Sequence, residues 1–112
     1  MYSKRQNKVA RSIQKELSIL FQKESINFSK GTLISVTIVR INADLSVAKV
    51  YLSLFPPEKS KTLIKKIQEN SRVIRFELGK RVKNQFRRVP ELIFYLDDSL
   101  DYAEKIDKLI NT

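Results

Sequence analysis

The sequence contains no cysteine, no histidine and no tryptophan. Without cysteine there is no disulfide, no Cys-ligated zinc, no iron–sulfur cluster and no thiol nucleophile. Without histidine there is no imidazole base and no His-ligated metal. An enzyme built on this chain would need paired carboxylates, a lysine or a phosphate loop. No apolar run approaches the ~20 residues that span a bilayer, and no signal-peptide pattern opens the chain. What the 112 residues do hold is a 42% hydrophobic fraction and a large excess of cations, 22 Lys and Arg against 12 Asp and Glu, for a formal charge of +10. The hydrophobic fraction suffices for a core and argues against disorder. The length fits one domain over residues 1–112. A soluble, cytoplasmic, basic protein without membrane contact is expected.

The charge is segregated. Residues 1–31 carry seven basic and two acidic side chains, and residues 58–88 carry eleven and three. Residues 89–112 reverse the sign, with two basic and six acidic. Such asymmetry points to a polyanionic partner met by the first and third segments. A merely solvated surface is the bland alternative; so large a net charge on so short a chain favours nucleic acid.

Hydropathy patterning supplies the elements. Val9, Ile13, Leu17, Leu20 and Phe21 recur at helical spacing over 4–23. Ser3 and Gln6 offer a capping box at its start. Lys4, Lys8, Arg11 and Lys15 fall opposite the apolar stripe, giving the helix one buried and one basic face. Residues 33–42 and 47–55 are rich in β-branched residues and read as strands. The turn Asn42-Ala43-Asp44-Leu45-Ser46 joins them as an antiparallel hairpin. In the second strand Ala48, Val50, Leu52 and Leu54 share a face, opposite Lys49, Tyr51 and Ser53. Pro56-Pro57 ends it.

A short helix follows over 58–69, with Leu63, Ile64 and Ile67 inward, and helical character resumes from 72 to about 86 on Ile74, Leu78 and Val82. Asn70 and Ser71 between them compete for backbone hydrogen bonds, so a kink is expected there. Pro90 is expected to stop the helix. Residues 91–96 read as a third strand, and Asp97-Asp98-Ser99 as the cap of a last helix over about 100–110 whose apolar side is Leu100, Ala103, Ile106, Leu109 and Ile110. The order α-β-β-α-α-β-α makes an α+β two-layer sandwich, three strands with helices on one face. The other sheet face, with Lys49 and Tyr51, is expected to be more open.

The run Asp44-Leu45-Ser46-Val47-Ala48-Lys49-Val50-Tyr51 resembles the central signature of the ribosome-binding factor A family. Arg88-Val89-Pro90-Glu91-Leu92, leading into Phe94 and Asp97, resembles a second family motif. Arg5, Val9, Ile13 and Leu17 fit its opening helix, and Asp98-Ser99 with Ile106 and Leu109 its C-terminal helix. The likeness covers nearly the whole chain. It implies a type II KH-like fold and a noncatalytic role in maturation of the bacterial 30S small ribosomal subunit. That role includes processing of the 5′ end of 16S rRNA and matters most in the cold. It also implies a kink in place of the GXXG loop of ordinary KH domains, commonly at an Ala-x-Gly step. Here Asn70-Ser71-Arg72 stands at that place, without the flanking Ala and Gly. The only glycines are Gly31 and Gly79, so a GXXG grip on single-stranded RNA is unavailable.

Two sets of candidate RNA-binding residues follow: Lys4, Lys8, Arg11 and Lys15 on the first helix, and Arg72, Arg75, Lys80, Arg81, Lys83, Arg87 and Arg88 in the third basic segment. Arg72, Lys80, Lys83 and Arg87 are expected to project together. Phe76 could stack a base, but packing under helix 58–69 is the expectation. Asp44 is read as a turn former, Tyr51 as a cross-strand packing residue, and Asp97 and Asp98 as caps rather than metal ligands. No metal, cofactor or catalytic residue is expected, and the partner that the resemblance implies is the small subunit, through 16S rRNA and neighbouring ribosomal proteins. Nothing argues for oligomerisation, and a monomer is expected. The rival readings are a generic single-stranded RNA-binding KH-like module, a nuclease, and a domain binding an acidic protein.

Overall fold

A computed structural model describes residues 3–23 and 32–97. The expected final helix over about 100–110, and Asp98 and Ser99 with it, lie outside the described residues. Helix α1 spans Lys4–Gln22. Its start is closed by the capping box: the Gln6 amide donates to Ser3 Oγ (3.1 Å) and the Ser3 amide to Gln6 Oε1 (2.8 Å). Val9, Ile13, Leu17 and Leu20 form its buried stripe. The Gln6 side chain also donates to the Ile41 carbonyl, tying the helix start to the sheet.

Strands β1 (Leu33–Ile41) and β2 (Val47–Phe55) form the expected antiparallel hairpin, with Arg40 opposite Lys49 and Leu33 opposite Phe55. The register slips between Val36 and Ile38. A bulge leaves backbone groups off the ladder, and here the Gln14 side-chain amide of α1 donates to the Val36 and Thr37 carbonyls, so α1 repairs the bulge it packs on. The turn is built by side chains. Asn42 Oδ1 accepts from the amides of Ser46 and Val47, and Asp44 Oδ1 accepts from the Ser46 amide and hydroxyl. Between them Leu45 adopts φ 63°, a left-handed conformation that a branched side chain resists.

Strand β3 (Glu91–Leu96) pairs parallel with the other side of β2, giving the order β1-β2-β3. As an edge strand it leaves donors unpaired; Gln68 Oε1 accepts one of them, the Phe94 amide. Helix α2 (Ser60–Glu69) follows a short 3-10 turn at Pro57–Lys59, and α3 spans Ser71–Val82. The break falls at Asn70, whose backbone leaves the helical region (φ −101°, ψ 16°) while its side-chain amide donates to the Lys66 carbonyl. That local bond satisfies the last turn of α2 and lets the chain change direction.

One face of the sheet, carrying Val36, Val39, Ile41, Ala48, Val50, Leu52, Leu92 and Phe94, joins the helix stripes in a single buried cluster. The opposite face stays open: Leu33, Ile38, Phe55 and Tyr95 are exposed, and Tyr51 stacks on Tyr95 at 5.4 Å. The chain is thus α+β in two layers, as expected. Among the described residues no helix is long and apolar enough to cross a membrane.

One boundary differs. Helix α3 ends at Val82, eight residues before Pro90, so the proline does not stop it. A proline disfavours helix at the residue before it, here Val89, and bars the bond to the carbonyl four residues back, here Phe86, so its reach stops short of Val82. Past Val82 the chain turns, with the Gln85 and Phe86 amides both on the Val82 carbonyl, Phe86 and Val89 packed on the core, and the Glu91 amide docked on the Ser46 carbonyl. Pro90 is fully buried at that junction.

Candidate nucleic-acid interface

The early end of α3 divides the basic residues between two concave surfaces. The first runs along α3 and is lined by Arg72, Arg75, Phe76, Gly79, Lys80, Lys83 and Val89. The second lies between the start of α1, the hairpin turn and the segment after α3. Arg5, Lys8 and Ser12 line one wall, Asp44 to Ser46 the floor, and Gln85 to Arg88 the other wall. Arg87 therefore leaves the group in which sequence spacing puts it. It follows the helix instead of riding on it, and it faces α1 rather than Arg72, Lys80 and Lys83.

Two of the expected RNA ligands have internal partners. The Arg75 guanidinium donates twice to the Val89 carbonyl, with Nη2 at 2.6 Å, and so anchors the segment before β3. Arg81 donates to the Glu16 carboxylate, a partly buried pair that joins α3 to α1. Both sit on the flanks of α3, beside the buried stripe, where long side chains reach neighbouring elements instead of solvent. Lys80 makes a looser pair with Glu77 at 3.4 Å and lies 4.7 Å from the Phe76 ring centre.

The remaining cations are exposed. Lys4, Lys8, Arg11 and Lys15 lie on the outer side of α1, and Arg72, Lys83, Arg87 and Arg88 are open to solvent. In the second cleft Arg5, Lys8, Arg87 and Arg88 face one carboxylate among the described residues, Asp44. Hydrogen bonds from the Ser46 hydroxyl and amide hold the Asp44 carboxyl below its ordinary value. It is charged at neutral pH, yet occupied by Ser46, and the cations prevail around it. Such a cleft, cationic and walled by low-dielectric side chains, concentrates polyanions.

Arg5 joins the cleft although the basic stripe of α1 does not include it. Its signal lies in the spacing: it stands three residues before Lys8 and seven before Ser12, on the flank of α1 that turns toward α3. Phe76 is a correction. The packing expected under helix 58–69 does not occur, and the ring is 65% exposed. The apolar stripe Ile74, Leu78 and Val82 is complete without it.

The family model for ribosome-binding factor A matches residues 5–110. The chain belongs to the ribosome-binding factor A family. A curated relative, ribosome-binding factor A of Cytophaga hutchinsonii, is 45% identical over 111 residues, covering 99% of this chain and 84% of the relative. The crystal structure of ribosome-binding factor A from Thermus thermophilus shares the fold, with a TM-score of 0.67 at 24% identity over 85% of this chain and 97% of that one. A Thermus thermophilus ribosome-binding factor A homology model, fitted into a cryo-EM map of a 30S complex, gives a TM-score of 0.57 at 23% identity, over 88% of this chain and 97% of that one. In this member of the family the end of α3 splits the basic surface, and Arg75 and Arg81 brace the split.

Proposed function

We propose that this chain is a noncatalytic assembly factor of the small ribosomal subunit, which it binds through 16S rRNA. The observation that carries the reading is the convergence of Arg5 and Lys8 from α1 with Arg87 and Arg88 from the segment after α3 on one cleft, in a member of this family. Cations gathered from distant sequence positions onto one concave surface are what phosphate recognition needs; scattered surface charges are not.

Docking is electrostatic, through the outer face of α1 and the two concave surfaces flanking α3. The chain acts as one RNA-binding unit that holds an immature arrangement of the subunit and supports processing of the 5′ end of 16S rRNA. Exposed Lys4, Lys8, Arg11, Lys15, Arg72, Lys83, Arg87 and Arg88 supply the phosphate contacts, and the break at Asn70 and Ser71 sets the direction of α3.

The test is sedimentation of the purified chain with small subunits, large subunits and assembled ribosomes at low and moderate salt. Cofractionation with free small subunits, weakening as salt rises, is expected. Alanine at Arg72, Lys80, Lys83 and Arg87 together should abolish it at moderate salt. Unchanged affinity and salt dependence in that variant, which touches both concave surfaces, would reject docking through them. Tighter binding to short oligonucleotides than to the subunit would favour a generic single-stranded RNA module.

A further inference from the structure

We propose that Phe76 is a stacking platform for one unpaired base of the RNA, set in the α3 groove with cations on its flanks. This deepens the reading above and rests on it.

An exposed phenylalanine in water forgoes the burial that its ring would gain in the core. Phe76 is 65% exposed, and Val73 one turn earlier is 54% exposed, although the buried stripe lies on the same helix. The groove beside the ring has a bare backbone floor. Gly79, one turn after Phe76, carries no side chain, and a glycine inside a helix weakens it relative to alanine. Its neighbour across the groove is Val89, whose Cγ2 would lie 3.4 Å from a Cβ at that position. The far wall is rigid, because Arg75 forks onto the Val89 carbonyl.

The ring is thus an exposed apolar plane, beside a helix face on which Val89 packs close to Gly79, on a surface where cations outnumber anions. Arg72 and Lys83 are exposed on either side, and Lys80 already sits over the ring at 4.7 Å. Glu77, the acidic residue beside them, is held by Lys80. A planar aromatic face bracketed by cations matches a nucleobase with its 5′ and 3′ phosphates. Charge complementarity selects this occupant over an apolar protein helix, which would bury Arg72 and Lys83 unpaired.

The affinity of the full chain for small subunits is measured across a salt series for Phe76→Ala, Phe76→Leu and Phe76→Tyr. Because the ring is exposed, all three should melt with the parent chain. Loss of a base–aromatic stack predicts roughly ten-fold weaker binding for Phe76→Ala and Phe76→Leu, and binding within about two-fold of the parent for Phe76→Tyr. The salt slope should not change, since no phosphate contact is lost. Full rescue by leucine would mean an apolar contact with a ribosomal protein and would overturn the proposal. So would parental affinity in Phe76→Ala. Failure of the parent chain to bind subunits at all would instead reject the assembly-factor reading, and the platform with it. The chain has no tryptophan, so Phe76→Trp adds a single reporter. Its emission should be quenched by protein-free 16S rRNA, and unchanged emission at saturation would overturn the stack.

Discussion

Arg81 of α3 and Glu16 of α1 form a partly buried ion pair that ties the basic segment to the opening helix. The pair joins the helix that carries Lys8 to the helix that precedes Arg87. Its side chains retain 27% and 14% of their exposure, so solvent screens part of the attraction. Arg81→Ala should cost about 1–2 kcal/mol, chiefly by leaving Glu16 short of a partner. A shift of several degrees in melting temperature is expected. Assayed well below that temperature, the variant should keep the parental salt slope for small-subunit binding. A slope flattened as much as in Lys83→Ala would mean that Arg81 meets phosphate directly.

The core makes a larger claim. Ile13 and Leu78 are fully buried in one cluster and lie on the two helices that flank the cleft. Truncation of either to alanine should destabilise the chain by about 2–5 kcal/mol through lost burial and a residual cavity. Denaturant unfolding measures it, with the slope against denaturant unchanged if the transition stays two-state. A loss under about 1 kcal/mol would mean that the helices repack.

Local signals make most of this fold legible. Ser3 with Gln6 announces the start of α1, Asn42 with Asp44 the turn, and Asn70 the break, because each acts on backbone groups within a few residues of itself. Tertiary demands are not legible in the same way. Pro90 has the look of a helix stop, yet the chain leaves α3 at Val82, and Phe86 and Val89 pack on the core. Arg75 and Arg81 look like their exposed neighbours in sequence, and only the position of Val89 and Glu16 reveals their partners. Phe76 is recoverable. It lies two residues from both Ile74 and Leu78, about 200° round the helix from the buried stripe, so periodicity alone sets it outside.

Asp44 supplies a pH prediction. The Ser46 hydroxyl and then the Ser46 amide lower its folded pKa. A depressed carboxylate contributes stability that is present above the unfolded value and lost as pH falls through the folded one. The parent chain should therefore lose this contribution from about pH 4 downward. Asp44→Asn keeps an acceptor for Ser46 but does not titrate. The parent should be the more stable near neutral pH, and the two should converge in strong acid. A stability difference constant from neutral pH into strong acid would show that the carboxylate charge contributes nothing to the turn.

The division of the cations into free and internally bonded sets gives the sharpest test of the interface. Each phosphate neutralised by a side chain adds about 0.7–0.9 to the dependence of log affinity on log salt. Arg5, Lys83 and Arg88 line the two concave surfaces, and none has an ion-pair partner among the described residues. Alanine at any one of them should weaken small-subunit binding and flatten the slope by about one unit, with little change in melting temperature. Arg75→Ala should do the reverse. It frees the Val89 carbonyl and loosens the segment before β3, so stability falls by about 1–3 kcal/mol while the slope persists. Isothermal binding across a salt series, paired with thermal melts of the same preparations, separates the two classes. If Arg5, Lys83 and Arg88 left the slope intact together with Arg75, the polyanion would dock elsewhere, and the outer face of α1, with Lys4, Arg11 and Lys15, would be the next surface to neutralise.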